Sequence, residues 1–314
     1  MVATKRLLQA GLAAIAATTA AGLLAPVFAW LDAANHLRPA VFAGAAVFAL
    51  LCHRLQVSRW LATLLFAVNT ALFALPLVWS ASTTRGQALA HPSARTLTLM
   101  AFNMAMTDRP VDDIAQYIIS RAPDIVLLQE VTSKHAAALR LLLADTYPHS
   151  HVCAHMQGCT QLVLSRTRWV EAREVYRASG GPEMIWARFD DPRLGKFTVH
   201  GLHAAWPFTP TTQARNIDRL IAAQRATEGP QIYAGDFNLT PWSWQLQRLL
   251  YGAGLRRHAL LLRSWPIDGQ FRLPGPVFLI DHVLSTPDIR TVTIETGPPL
   301  GSDHLPIIAT LLLP

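Results

Sequence analysis

Apolar positions along this chain follow two regimes. Leu7 to Leu31 and Leu61 to Trp79 contain no charged residue, and each has roughly the ~20 residues needed to cross a bilayer core. Between them Pro39 to Cys52 is also apolar but shorter, a marginal third span. A cleaved signal peptide is the competing reading of the first run, because Lys5-Arg6 precede it. Its length, and the apolar sequence that follows, favour an uncleaved anchor of about three spans over residues 1–79. Ser80 to Arg95 is small, polar and without period, and reads as a linker.

From Thr96 onward the runs become short and alternate with helical periods. Strands are expected at Thr96–Asn103, Asp124–Glu130, Gln161–Ser165, Ile185–Phe189, Phe197–His203, Ile232–Ala234 and Pro306–Leu312. Phe278-Leu279-Ile280 should lead another into Asp281-His282. Amphipathic helices are expected at Val111–Arg121, Lys134–Ala144, Gln213–Gln224 and Trp242–Tyr251. Strands and helices interleave, so the prior is an α/β fold with a mixed sheet over residues 96–314.

Composition adds orientation. Of 27 basic and 20 acidic residues, five and one lie in residues 1–79, leaving 22 against 19 beyond them. That near balance gives no long-range pull on a polyanion. Arg256-Arg257-His258 with Arg263 reads as a solvated surface more than a DNA footprint. Lys5 and Arg6 before the first span, and His53, Arg54 and Arg59 before the last, place the N-terminus in the cytoplasm by the positive-inside rule. With all three spans crossing, the C-terminal domain lies outside the cytoplasm, attached to the inner membrane. Cys153 and Cys159, flanked by His151 and His155, fit a disulfide, free thiols or, least well by spacing, a metal site.

The chemistry collects at strand ends. QIYAGDFNLTPW runs from an apolar strand into Asp236 and Asn238, which share one side of extended chain. Asn103, Glu130, His203, Asp281 and Asp303-His304 likewise follow apolar strands or precede one. Carboxylates with an amide suit a hard divalent cation, and histidines beside carboxylates suit proton transfer at neutral pH. Together they predict metal-assisted attack of water on a phosphorus ester. His282, His200 and Gln129 read as structural. Gln213 fits a pocket or a solvated helix face, and the aromatic segments Trp206–Thr212 and Trp242–Trp244 fit packing, lipid or a stacked base.

AFN around Asn103, LLQE at 127–130, HGLH at 200–203, GDFN at 235–238, IDH at 280–282 and GSDH at 301–304 resemble the ordered motifs of the endonuclease/exonuclease/phosphatase superfamily. The three-span anchor resembles only its membrane-tethered bacterial branch. The resemblance implies a four-layered β-sandwich of two mixed sheets flanked by helices. It implies Mg2+, with Mn2+ as a substitute, held by Glu130 with Asn103 and Asp303. It makes Asp236 the residue that orients or deprotonates water, Asn238 and His203 the phosphate contacts, and His304, paired with Asp281, the acid/base. The expected substrate is a phosphodiester of nucleic acid or of a phospholipid head group; membrane lipids are the partners of the anchor, and no protein partner is implied. Two other readings are an idle, tethered binder of a phosphorylated ligand and a zinc hydrolase built on His151, Cys153, His155 and Cys159.

Overall fold

A computed structural model describes residues 2–84, 95–107, 110–153, 159–176, 179–266 and 277–314. Residues 85–94 of the expected linker lie outside these, as does His155.

Two six-stranded mixed sheets form the C-terminal part. The first has the order β11 (Arg290–Thr296), β12 (Ile307–Leu312), β1 (Thr96–Asn103), β2 (Ile125–Gln129), β4 (Leu162–Ser165), β3 (His149–Val152). The second runs β5 (Trp169–Val175), β6 (Glu183–Asp191), β7 (Gly195–His203), β8 (Gln231–Asp236), β10 (Asp281–Ser285), β9 (Arg256–Arg257). Only β1–β2 and β7–β8 pair in parallel; the other neighbours are antiparallel.

Alternation builds four layers from this. Leu97, Leu99, Ala101, Ile125 and Leu127 of the first sheet meet Ile185, Ala187, Val199, Ile232 and Ala234 of the second. The intervening residues of the first sheet, among them Met100, Phe102, Val126 and Leu128, pack on α5 (Asp112–Arg121) and α6 (Ser133–Leu142). Those of the second, Leu202, Tyr233 and Leu284, pack on α7 (Pro210–Ala226) and α8 (Trp244–Ala253). Each of these three interfaces stabilises the fold by about 25 cal/mol per Å2 of apolar surface that it removes from water.

Phe278–Ile280 does not begin a strand. Phe278 makes an isolated bridge to Trp265, and β10 starts at Asp281. Because β10 is antiparallel to β8, with Asp281 opposite Asp236, its first residue lies at the rim where β8 ends.

The N-terminal part has α1 (Val2–Leu23), a 3-10 turn at Ala29–Asp32, α2 (Ala33–His36), α3 (Arg38–Arg54) and α4 (Arg59–Thr84). The first apolar run is therefore not one helix to Leu31; it stops ahead of Pro26, which lacks the N–H to continue it. Val2–Leu23 and Arg59–Ser80, of 22 residues each, are long and apolar enough to cross a membrane, and Ala29–His36 meets α3 at a 61° bend. A Cβ on Gly11 would meet Phe48, and one on Gly22 would meet Asn35 and Arg38. These pairings make α3 antiparallel to α1, while the four-residue connection 55–58 returns the chain into α4.

Polar groups thread this bundle. Asn69 Nδ2 donates to Thr19 Oγ1 (3.0 Å), Arg38 Nη1 to Asn69 Oδ1 (3.0 Å), and Arg38 Nη2 to Asn35 Oδ1. Asn35 Nδ2 donates to Asp32 Oδ1 (2.9 Å). Asp32 then accepts from Ser243 Oγ (2.7 Å), Trp244 N (2.7 Å) and Gln245 N (3.2 Å) at the start of α8. A carboxylate from the N-terminal helices thus caps a helix of the sandwich, satisfying N–H groups that no helix can satisfy itself. Trp242 stacks on Phe73 at 5.3 Å and donates to its carbonyl, and Arg257 Nε donates to Ser80 Oγ.

Half of the expected basic surface is buried: Arg263 is exposed and Arg256 partly exposed, but Arg257 and His258 are not. Arg257 is buried against Ser80 and the Leu260 carbonyl, and His258 is buried between Thr291 and Ser285 hydroxyls. Arg257 is the last residue of β9, and His258, the one after it, donates its N–H to the Val283 carbonyl of β10.

Candidate active site

Both sheets end at one rim, and six of the chain segments expected to carry chemistry meet there. Asn103, His203 and Asp236 close β1, β7 and β8, Glu130 follows β2, Asp281 opens β10, and Asp303-His304 sits ahead of β12. The parallel β7–β8 pairing sets His203 beside Asp236. Gly235 allows it: its φ is +137°, and a Cβ there would collide with the Leu202 carbonyl oxygen.

Asp236 is the centre. Its Oδ2 accepts from Asn103 Nδ2 (3.0 Å) and lies 3.8 Å from His304 Nε2 and 3.9 Å from His203 Nε2. Its Oδ1 accepts from Asn238 N (2.8 Å). Burial first, and then the like charge of Asp281, push its pKa up to about 6. Asn238, at φ +52°, donates its amide to the Ala204 carbonyl (3.1 Å) and lines the same cavity.

His304 and Asp281 form a pair. His304 Nδ1 donates to Asp281 Oδ2 at 2.9 Å, and Ser264 Oγ donates to the same oxygen. Burial opposes charge on the imidazole, but Asp281, Asp236 and Asp303 together outweigh it and raise the pKa to about 10. The ring therefore carries a proton on Nε2, facing Asp236. Asp303 Oδ2 accepts from Trp265 Nε1 (2.8 Å). Ser302 Oγ donates to the Asn103 carbonyl (2.7 Å), tying this loop to β1.

His203 lies between two acids, with Nδ1 3.4 Å from Glu183 and Nε2 3.4 Å from Glu130. Burial disfavours its charge, yet Glu183, Asp236 and Glu130 together raise its pKa. Glu183 stands opposite His203 in the β6–β7 ladder and accepts from Thr160 N and Oγ1 (2.6 and 2.7 Å). The pattern reading missed it by starting that strand at Ile185; counting back along the ladder from His203 would have found it.

Glu130 holds a left-handed backbone, φ +52°, that turns it off the line of β2. Met106 N donates to its carbonyl at 3.0 Å and helps keep it there. Such strain, roughly 1–3 kcal/mol, persists where the surroundings over-determine it.

The donor chemistry fits a hard divalent cation. Glu130 Oε1 and Asp236 Oδ2 are bridged by the Asn103 amide, whose Nδ2 reaches Glu130 at 3.1 Å, and both lie within 4 Å of His203 Nε2. Two carboxylates so close favour a cation that takes oxygen ligands. Asn103 departs from its expected part: its oxygen accepts from Ala105 N (2.8 Å), so as placed it bridges the acids, and ligation through that oxygen requires the amide to turn over. Ligand atoms of Asp236, Asp281 and His304 also gather within 4.8 Å. Asp281 and His304 are bonded to one another, so that trio is built to hold a proton.

The remaining residues fall away from the chemistry. His282 bonds the Leu239 carbonyl at 2.7 Å and His200 stacks on Tyr233 at 4.1 Å; burial takes both pKa values down to about 3. Gln129 packs beneath Gly235. Gln213 is buried and donates to the Ala205 carbonyl (2.9 Å), supporting the loop that precedes α7. Cys153 and Cys159 are joined in a disulfide and His151 bonds Glu174, which removes these three groups from the zinc reading.

Above the floor lies a cavity of about 1170 Å3. Trp206, Phe208, Trp265 and Phe278 form part of its wall, and Ala33, His36 and Leu37 of the N-terminal part form another part.

The sequence profile of the Endonuclease/Exonuclease/phosphatase family matches residues 100–304. No curated protein matches. Among solved structures, an endonuclease/exonuclease/phosphatase from Beutenbergia cavernae aligns at 24% identity and TM-score 0.55, covering 70% of this chain and 72% of its own. One from Bacteroides vulgatus aligns at 18% and 0.58, covering 70% and 99%. Sphingomyelinase C from Streptomyces griseocarneus aligns at 17% and 0.52, covering 68% and 99%. These likenesses establish the shared fold.

Proposed function

Since the chain belongs to the endonuclease/exonuclease/phosphatase family, whose members hydrolyse phosphoester bonds, we propose that it is a membrane-anchored, Mg2+-dependent phosphodiesterase. The observation that carries this reading is the convergence of Asn103, Glu130, His203, Asp236 and the Asp281–His304 pair on one cavity floor.

Glu130, with Asp303 and a turned Asn103, would hold the cation, which when bound polarises the phosphoryl oxygen and neutralises its charge. Asp236 accepts the proton of the attacking water; a pKa near 6 leaves it charged at neutral pH and basic enough for the task. Asn238 has a second amide proton for a phosphate oxygen. His304 presents its Nε2 proton to the charge that grows on phosphorus or on the leaving oxygen, and Asp281 keeps the ring in that orientation. His203, braced by Glu183, contacts the phosphate from the other side.

The test uses the full chain in detergent with a chromogenic phosphodiester, a phosphomonoester, DNA and sphingomyelin, each with Mg2+ or chelator. Metal-dependent turnover of a diester is expected, rising with pH through about 6 as Asp236 ionises and falling near 10 as His304 loses its proton. No turnover of any of them would leave a tethered binding protein instead.

The anchor supports a three-span topology with residues 96–314 outside the cytoplasm. Lys5, Arg6, His53, Arg54 and Arg59 lie at the helix ends remote from the sandwich, whereas Asp32, Phe73 and Ser80 touch it. The disulfide agrees with an oxidising compartment. Alkaline phosphatase fused at the C-terminus should be active in intact cells; an active cytoplasmic reporter there would reverse the orientation.

A further inference from the structure

The wall that the anchor lends to the catalytic cavity marks the anchor as more than a tether. We propose that the connector Asp32–Leu37 is part of the substrate-binding site, and that the substrate is a phosphoester carried by a membrane amphiphile, its apolar tail lying between Leu37 and the Trp206–Phe208 loop. The proposal rests on the reading of the floor as a phosphoesterase site and adds what approaches it.

Three observations bear on it. The connector is fixed to the sandwich and does not hang beside it: the three contacts from Asp32 to the start of α8 hold α2, which follows directly, against the cavity. The approach is apolar and continuous with the span. Between the end of α1 and the cavity the chain exposes Val27 (71%), Phe28 (50%) and Trp30 (65%), and the apolar series continues into the lining through Ala33 and Leu37. Aromatic residues at the end of a span sit at head-group level, which puts this side of the cavity at the bilayer surface. Across it Trp206 and Phe208 are 52% and 77% exposed, the bulky apolar surface that an acyl chain would cover.

The third observation is polar. His36 lines the cavity, and its Nε2 is enclosed without a hydrogen-bond partner among the described residues. A buried ring nitrogen without a partner costs about 1–3 kcal/mol. Turned toward the cavity, the ring would find the missing bond in a phosphate, ester or hydroxyl group of the entering molecule. A polar group at the top of an apolar wall, with carboxylates and histidines at the floor, matches an amphiphile whose head group is drawn down to the reacting centre. The near neutral charge balance of residues 80–314 gives a nucleic acid no comparable attraction.

The experiment places the full-length protein in lipid nanodiscs and compares p-nitrophenyl methyl phosphate with p-nitrophenyl dodecyl phosphate, which share one scissile bond. The dodecyl ester should have the higher kcat/KM by roughly thirtyfold. Part of that ratio is simple partition into the disc, so Leu37→Asn and His36→Gln are measured too. The ratio should fall about tenfold in Leu37→Asn, chiefly through KM, whereas His36→Gln, at the position that meets the head group both esters share, should raise KM severalfold for both. Equal kcat/KM for the two esters, a ratio unchanged in Leu37→Asn, a KM unchanged in His36→Gln, or an oligonucleotide cleaved faster than the dodecyl ester would overturn the proposal while leaving a phosphodiesterase. Failure to hydrolyse either ester with Mg2+ would remove the phosphodiesterase reading and this proposal together.

Discussion

Asp236→Asn should abolish turnover and stabilise the protein at once. The loss of the proton acceptor is expected to lower kcat/KM by about 10^3-fold or more. The stability effect follows from the shifted pKa. In the folded chain Asp236 titrates at about 6 against an ordinary value of 3.8. Between those values the folded state keeps a proton that the unfolded state gives up, so stability declines as pH rises through the window. Above pH 6 the full penalty is present, on the order of 3 kcal/mol. Asparagine keeps the shape and removes the charge. Some of the gain is returned, because His203 and His304 lose a nearby negative charge, so the metal-free protein at pH 7.5 should melt a few degrees higher. Turnover equal to that of the parent chain would remove Asp236 from the reaction. A lower Tm would show that its charge is a needed partner of the two histidines.

Glu130→Gln separates cation binding from proton transfer. Its side chain faces Asp236 across the Asn103 amide, so losing its charge removes much of the reason for a cation to settle there. Activity at saturating substrate and ordinary Mg2+ should fall roughly 10^3-fold. The Mg2+ concentration for half activation should rise tenfold or more, whereas in Asp236→Asn it should move far less. A Mg2+ titration of both variants reads the difference. Equal activation midpoints in Glu130→Gln and the parent chain would place the cation elsewhere, with the Asp236, Asp281 and His304 trio the next place to look.

Much of the sandwich was legible because strand alternation and burial have the same cause. Thr96–Asn103 reads as a strand, and β1 spans those residues. Phe197, Val199 and Gly201 alternate as the inner face of β7 requires. The rim residues were legible for a related reason: a charged or amide side chain directly after an apolar strand has no role in the core. What pattern could not supply was pairing. Glu183 acquires meaning only opposite His203, and Asp281 belongs to the rim only because β10 runs back against β8. Arg257 reads as surface by charge, yet Ser80 of a distant helix receives it. Trp265 and Ser264 precede a segment with no apolar period, and only the folded chain sets them against Asp303 and Asp281. Asp32 and Arg38 lie in a short stretch between apolar runs that no pattern explains; folded, they are members of one buried chain joined through Asn35.

The Asp32 cap also has a bearing on how the protein is made. Asp32 leaves the ribosome more than two hundred residues before Ser243, the first residue that it holds. Phe73 and Ser80 likewise precede Trp242 and Arg257. In a chain that folds from its N-terminus as it is synthesised, these groups are in place before α8 and β9 exist. The last third of the sandwich therefore completes against helices already made. Truncation ahead of β1 would then do more than remove the apolar helices. It would take away the cap of α8, the stacking partner of Trp242 and the hydroxyl that receives Arg257.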